Sequence, residues 1–364
     1  MSRLKYYFFL FLFPNSWIWM AISYCSLLFS SYSKVKVRLY TSEAMFCLIF
    51  VISLMHGFLR FWDVILPEVY FISFFSVFLG FVLATFFSCL PNHKKLKIID
   101  LIINVNGILI ITQHVVYFIF KKYLDLHYFI SFSASHSRYE SGFFQYFGLI
   151  RPTSIFVEPS NAAAFLLYFS VLRILISIDT ITKSRIIWIC IVPALTFSVA
   201  GILSSLLAAM SYSIFLLRHS RFFSKLLIFL MLSGIASLAY KFIMFRLGSN
   251  IDYDPVAYRS GIIQYIGLVL SELPIFGLGI FFSGEVFQLL DVQLIHSKLR
   301  DSGVLPNMLI SSGFLGLTAL IYHFYVSAKR NWLICLLAAT PLLMKIDYAY
   351  IIFWFYIFTI RRLS

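Results

Sequence analysis

The sequence predicts an all-α, polytopic integral membrane protein with about ten to twelve transmembrane helices and two long extracytoplasmic loops. Three observations lead there. Of 364 residues, 61% are hydrophobic, and the mean hydropathy is +0.91. Only 12% are charged, about half of the roughly one quarter that a water-covered globule carries. The charges also gather in short runs between apolar stretches, the pattern of a chain whose surface is covered largely by lipid. No stretch between those segments reads as a separate core, so residues 1–364 form a single transmembrane domain.

The apolar segments run in order from the N-terminal side. Residues 6–30 make either one long span or a hairpin broken at Pro14-Asn15. The first arm of such a hairpin, Tyr6–Phe13, is too short to cross a hydrocarbon core of about 30 Å at 1.5 Å per residue. Both arrangements stay open. Arg3 and Lys5 precede this run, no small-x-small cleavage site follows, and no cleaved leader is expected. Segments at about 44–59, 69–90, 98–120 and 161–178 follow. Residues 186–217 are too long for one helix and short for two, which predicts two shallow helices turning near Ser198–Gly201. Segments at about 226–242, 306–328, 331–343 and 346–360 complete the set.

The basic residues test this order. With Arg361-Arg362 taken as cytoplasmic and the helices alternating, the inner loops carry those two, Lys329, Arg330, Arg218, Arg221, Lys225, Lys183, Arg185, Lys94, Lys95, Lys97, Lys34, Lys36 and Arg38. The short outer turns carry only Arg60 and Lys345. Such asymmetry is how a membrane protein sets its orientation. It also accounts for the net charge of +14 without nucleic acid, for which there is no basic helix or RNA-binding motif. The five cysteines all fall inside apolar segments with no CxxC spacing and read as core filler.

The same alternation places the two longest hydrophilic segments, 121–160 and 243–305, on the outer face. Loops of this length in a compact fold are usually functional. The first ends in Arg151-Pro152-Thr153-Ser154-Ile155-Phe156-Val157-Glu158-Pro159-Ser160-Asn161. Pro159 suits the first turn of the following helix. A helix N-terminus presents free N–H groups and partial positive charge, and with Arg151 nearby it suits a phosphate or diphosphate. Glu158 stands beside it either as a base or as a helix cap. In the second loop, Asp254-Pro255 starts an amphipathic helix carrying Arg259. The turn Leu273–Ile280, built of Pro and Gly, follows, and Arg300-Asp301-Ser302-Gly303 leads into the helix of Asn307, Gly313 and Gly316.

These pieces in this order resemble the O-antigen polymerase (Wzy) family, within the wider group that includes O-antigen ligases. The resemblance rests on Arg151…Ile155-Phe156-x-Glu158-Pro159-x-Asn161, on Arg259…Pro274-x-x-Gly277-x-Gly279, and on Arg300-Asp301-Ser302…Gly313-x-x-Gly316. Ligases usually carry a His-Asn pair about ten residues before the helix glycine; this chain has Ser302-Gly303 there, which favours the polymerase. The resemblance implies an undecaprenyl-diphosphate-linked oligosaccharide substrate, polymerised at the outer face of a bacterial inner membrane. It also implies Arg151, Glu158, Arg259, Arg300 and Asp301 as catalytic residues and Asn161, Ser302 and Asn307 as substrate contacts. A chain-length regulator and a flippase of the same pathway are the implied partners beside the bilayer. No cofactor is expected: the energy is stored in the donor, and arginines stand where a metal would.

The remaining polar residues read as structure. Arg173 lies near the inner end of its helix and is expected to snorkel. Asp100 and Asn104 are expected to cap or pack, and His114 to be a packed polar residue. His127, His136 and His296 lack metal-ligand spacing. The rival class is a transporter or flippase, which concentrates polar residues at mid-membrane and often shows related halves with interrupted helices. Here the polar residues concentrate in two unequal loops, with no internal repeat.

Overall fold

The computed structural model describes residues 39–60, 67–131, 136, 137, 139, 149–177, 181–198, 275–279, 303–344 and 350–363, with short helical pieces within 201–213, 233–241 and 266–271. The choice between span and hairpin at 6–30 lies outside them. All regular structure among the described residues is helical. The main helices are α1 (Thr41–Arg60), α2 (Pro67–Ser88), α3 (Asn92–Phe120), α4 (Leu126–Ser131), α5 (Pro159–Ile176), α6 (Lys183–Ala194), α7 (Val304–Ser327), α8 (Trp332–Ala339) and α9 (Ile351–Leu363). By length and composition α3, α5 and α7 can each cross a membrane, and shorter apolar helices lie at Thr41–Gly57, Phe74–Ser88 and Trp332–Leu343.

The helix ends follow local chemistry. α3 starts six residues before the expected 98, because Asn92–Lys97 extend the helix in polar residues that hydropathy does not register. It stops at Lys121, which turns left-handed (φ 54°) and donates its N–H to the Tyr117 carbonyl. α6 ends at Ala194, just after Pro193, and Phe197 turns left-handed (φ 50°) before helix resumes at Gly201. That is the turn expected near 198–201. α8 gives way to a 3₁₀ turn, Thr340–Leu343, at Pro341, where the ring removes a donor.

The contacts form two compact units: one from the described residues between Leu90 and Asp252 with Leu336–Pro341, the other from those of Lys36–Cys89, Tyr253–Cys335 and Leu342–Ser364. In the first, α5 is the centre, with Ala162 through Leu172 at most 1% exposed. In lipid, helices associate through close packing and interhelical hydrogen bonds rather than through apolar burial alone. Both appear here. Gly107 on α3 brings the backbone against α6, where a Cβ would meet the Trp188 ring at 3.0 Å and Val192 at 3.2 Å. Ser170 of α5 donates to the Ile189 carbonyl of α6 at 2.8 Å.

One end of this three-helix group is tied by charge. Asp100 of α3 accepts from Arg173 Nε of α5 at 2.7 Å and from Arg185 Nη2 of α6 at 2.5 Å. Asn104 Oδ1 accepts from Arg185 Nη1 at 2.9 Å and Trp188 Nε1 at 3.0 Å. Asp100 and Asn104 therefore pack, as expected. Arg173 does not snorkel: its guanidinium also donates to Ser177, and its side chain is only 12% exposed. The correction has a simple cause. Asp100 lies 73 residues away in sequence, beyond the reach of any local pattern. His114 packs as expected, Nε2 lying 3.0 Å from the Leu195 carbonyl and the ring edge-on to Phe197.

In the second unit α9 is buried along Ile351–Ile360. Phe81 meets Phe358 edge-on at 5.2 Å, and Phe50 meets Trp354 edge-on at 4.8 Å. Arg362 pairs with Glu43, which is 0% exposed, through both nitrogens of its fork. α7 is interrupted at Gly313 (φ 59°, ψ −158°), a backbone state open to glycine. The break would orphan helix carbonyls and amides, which is costly inside a bilayer. Instead Leu278 N–H donates to the Ile310 carbonyl and Gly279 N–H to the Ser311 carbonyl, each at 2.8 Å, while Leu315 N–H donates to the Ile275 carbonyl at 3.3 Å. The segment 275–279 thus completes the broken helix. Gly277 and Gly279 both have positive φ, and a Cβ on Gly277 would collide with the Ile310 carbonyl.

Candidate functional site

The first-loop motif begins from helix α5. Glu158 is its N-cap residue, extended at φ −130°, ψ 147°, and Pro159 opens the first turn. The Glu158 carboxylate makes no capping bond; its Oε2 accepts from the Ser160 hydroxyl at 3.2 Å. The Glu158 carbonyl, by contrast, receives the Asn161 and Ala162 N–H groups at 3.1 and 3.2 Å. The backbone thus starts the helix while the side chain, half-buried, stays out of it.

Residues 149–158 form a loop that folds back along α3. Ile150, Thr153, Ser154, Ile155 and Phe156 are all buried, and Arg151, Val157 and Glu158 are half-buried. Its lowest point is Ser154, whose hydroxyl donates to Asn106 Oδ1 at 2.7 Å, halfway along the 29-residue α3. Gln113, one face of α3 and seven residues on, holds Ser154 from both sides: Oε1 accepts its N–H at 2.8 Å and Nε2 donates to its carbonyl at 3.0 Å. Ser154 is left-handed at φ 52°, a conformation that costs a serine about 1 kcal/mol and persists where the surroundings over-determine it.

The depth follows from register. Arg173 lies level with Asp100. Climbing α5 from Arg173 to Pro159 is about 21 Å at 1.5 Å per residue, which reaches the level of His114 on α3. α3 continues to Phe120, so Pro159 sits roughly 9 Å short of that end.

A second layer, from 121–128 with His136, Ser137 and Tyr139, clasps the loop. Tyr123 hydroxyl lies 2.8 Å from Thr153 Oγ1 and accepts the Thr153 N–H at 3.1 Å. His127 Nδ1 lies 3.3 Å from the Ile155 carbonyl. Tyr139 stacks on Tyr123 at 3.9 Å, and its carbonyl accepts the Arg151 N–H at 3.2 Å. Asp125 gathers the layer: Oδ2 accepts the Ser137 N–H at 2.9 Å and lies 3.3 Å from His136 Nδ1, and Oδ1 accepts the Tyr128 N–H at 3.2 Å. Burial pushes the Asp125 carboxyl up, but the Ser137 and Tyr128 N–H groups and then the His136 ring outweigh it and hold it below its ordinary 3.8. Burial raises the Tyr123 phenol above its ordinary 10.0, and the Thr153 bonds offset that only in part. Lys121, Lys122, Tyr123, Asp125, His136, Ser137 and Tyr139 line an open hollow of about 940 Å³.

Of the sequence-predicted residues, Arg151, Glu158 and Asn161 come together on this one loop and helix start. Asn307 belongs to the other unit, on the first turn of α7, 2% exposed, with its N–H on the Gly303 carbonyl at 3.3 Å. Arg259, Arg300, Asp301 and Ser302 lie outside the described residues. Asn106, Gln113, Tyr123 and Asp125 escaped the sequence reading. A signal existed for two of them: Asn106 and Gln113 are the same distance apart as two helical turns, which puts a pair of amides on one face of an apolar helix. No protein-family model matches this chain, and no curated protein is significantly similar to it.

Proposed function

We propose that this protein is a membrane glycosyltransferase that polymerises undecaprenyl-diphosphate-linked oligosaccharide repeat units into a surface polysaccharide of the O-antigen type, at the outer face of a bacterial inner membrane. The observation that carries the reading is the buried loop against α3: an arginine, a carboxylate that does not cap the helix and a helix N-terminus follow one another along it, where a lipid-borne diphosphate could reach. In the reaction the glycosyl–phosphate bond of the donor breaks and a new glycosidic bond forms to the acceptor hydroxyl. The diphosphate leaves with the bonding electron pair, and Arg151 with the N-terminus of α5 stabilises that charge. Glu158 takes the acceptor proton. Arg259, Arg300 and Asp301 are assigned to the same reaction by resemblance alone.

Two substitutions test this. Glu158→Gln keeps size and leaves helix α5 undisturbed, and polymerisation in purified protein supplied with the lipid-linked repeat unit should fall by about 10²–10⁴-fold. Arg151→Lys keeps charge but loses the forked donor geometry and should lose most activity while the protein still accumulates. Full-length polymer from both variants would refute the assignment. A second reading, a flippase for the same substrate, draws on the interrupted α7, since transporters build sites from broken helices. It predicts translocation without any bond made or broken.

A further inference from the structure

The buried amide of Gln113 has no part in the chemistry just described, yet it makes three bonds. Its Nε2 donates to the Ser154 and Leu124 carbonyls, each at 3.0 Å, and its Oε1 accepts the Ser154 N–H at 2.8 Å. One side chain therefore ties both peptide groups of the lowest loop residue to the segment that follows α3. Gln113 and Ser154 are each 0% exposed, so these bonds are shielded from solvent. Ser154 is held left-handed, three residues after Arg151 and four before Glu158. Freed from Gln113, it would return to an ordinary conformation, and both neighbours would swing with the backbone.

We propose that Gln113 is a positioning residue: it sets the depth and direction of the Arg151–Glu158 loop. As a role in polymerisation this rests on the functional reading above. A general packing role would instead loosen the whole unit when Gln113 is changed. Gln113→Glu keeps the acceptor for the Ser154 N–H but sets an oxygen against the Ser154 and Leu124 carbonyls. Ser154→Gly keeps both peptide groups in place and suits the positive φ.

The test uses the full chain in detergent, with Val157→Cys as a loop reporter and Ser184→Cys, at an exposed position of α6, as a distant one. Maleimide labelling is followed at each peptide by mass spectrometry. Gln113→Glu should change the labelling rate at 157 at least tenfold, leave that at 184 unaltered, and lower kcat tenfold or more in the protein that remains folded. Ser154→Gly, which keeps the bonds to Gln113 but loses the hydroxyl bond to Asn106, should change the labelling rate at 157 and kcat less than Gln113→Glu does. Unchanged labelling at 157, or an equal change at 184, would overturn the positioning role even if Arg151→Lys abolishes polymer. The expected labelling with polymerisation indifferent to Arg151→Lys would instead sink the polymerase reading and leave the anchorage of the loop supported.

Discussion

At the scale of single residues, the fold uses charge where apolar packing cannot give specificity. Arg173 and Arg185 share Asp100 with side chains 12%, 19% and 30% exposed, so the pairs are partly shielded from solvent, and a discount for screening still applies. Arg173→Lys removes the bond to Ser177 and changes the approach to Asp100. We expect a loss of about 1–3 kcal/mol, read as a lower melting midpoint in detergent, with a double-mutant cycle against Asp100→Asn showing the coupling. Asp125 gives a second case. Its carboxyl titrates lower in the folded protein than in the unfolded chain, so its contribution is present above the ordinary value of 3.8 and is lost as pH falls through the lowered one. Melting midpoints compared between pH 7 and about pH 3 should fall less for Asp125→Asn than for the parent. An equal fall in both would remove Asp125 from the account.

Among the elements, the helices were legible because apolar runs end where Pro, Lys or Gly chemistry ends them. Glu158-Pro159 marks the start of α5 in sequence as in structure, and Pro193 and Gly201 mark the turn after α6. What sits between helices was less legible. The folding back of 149–158 along α3 depends on bonds from Gln113 and Asn106 spanning 41 and 48 residues, and no local pattern encodes a partner that distant. The glycines of α7 were visible, but the break at Gly313 exists only because 275–279 supplies the missing partners. This gives a prediction at the same scale. Gly313→Ala must hold φ 59°, ψ −158° with a Cβ, a strain of about 1–3 kcal/mol, and should lower the amount of folded protein recovered from membranes. An alanine variant as abundant and as heat-stable as the parent would show that α7 can run unbroken.

The whole molecule was read first from its charge. The described residues bear out an all-helical chain with helices able to cross a membrane, and Arg185 and Arg362, which the sequence reading counts as loop charges, pair with Asp100 and Glu43. These two arginines therefore lock helix ends within their units. The functional claim stands on the buried loop against α3, whose carboxylate does not cap the helix and whose arginine is held by the layer above. The measurement that tests it most directly is deletion of the gene in the parent bacterium, followed by a gel of its lipopolysaccharide. The account predicts a core bearing a single repeat unit, restored to a ladder by the parent protein but not by Glu158→Gln. An unchanged ladder, or bare core with no repeat unit, would contradict it.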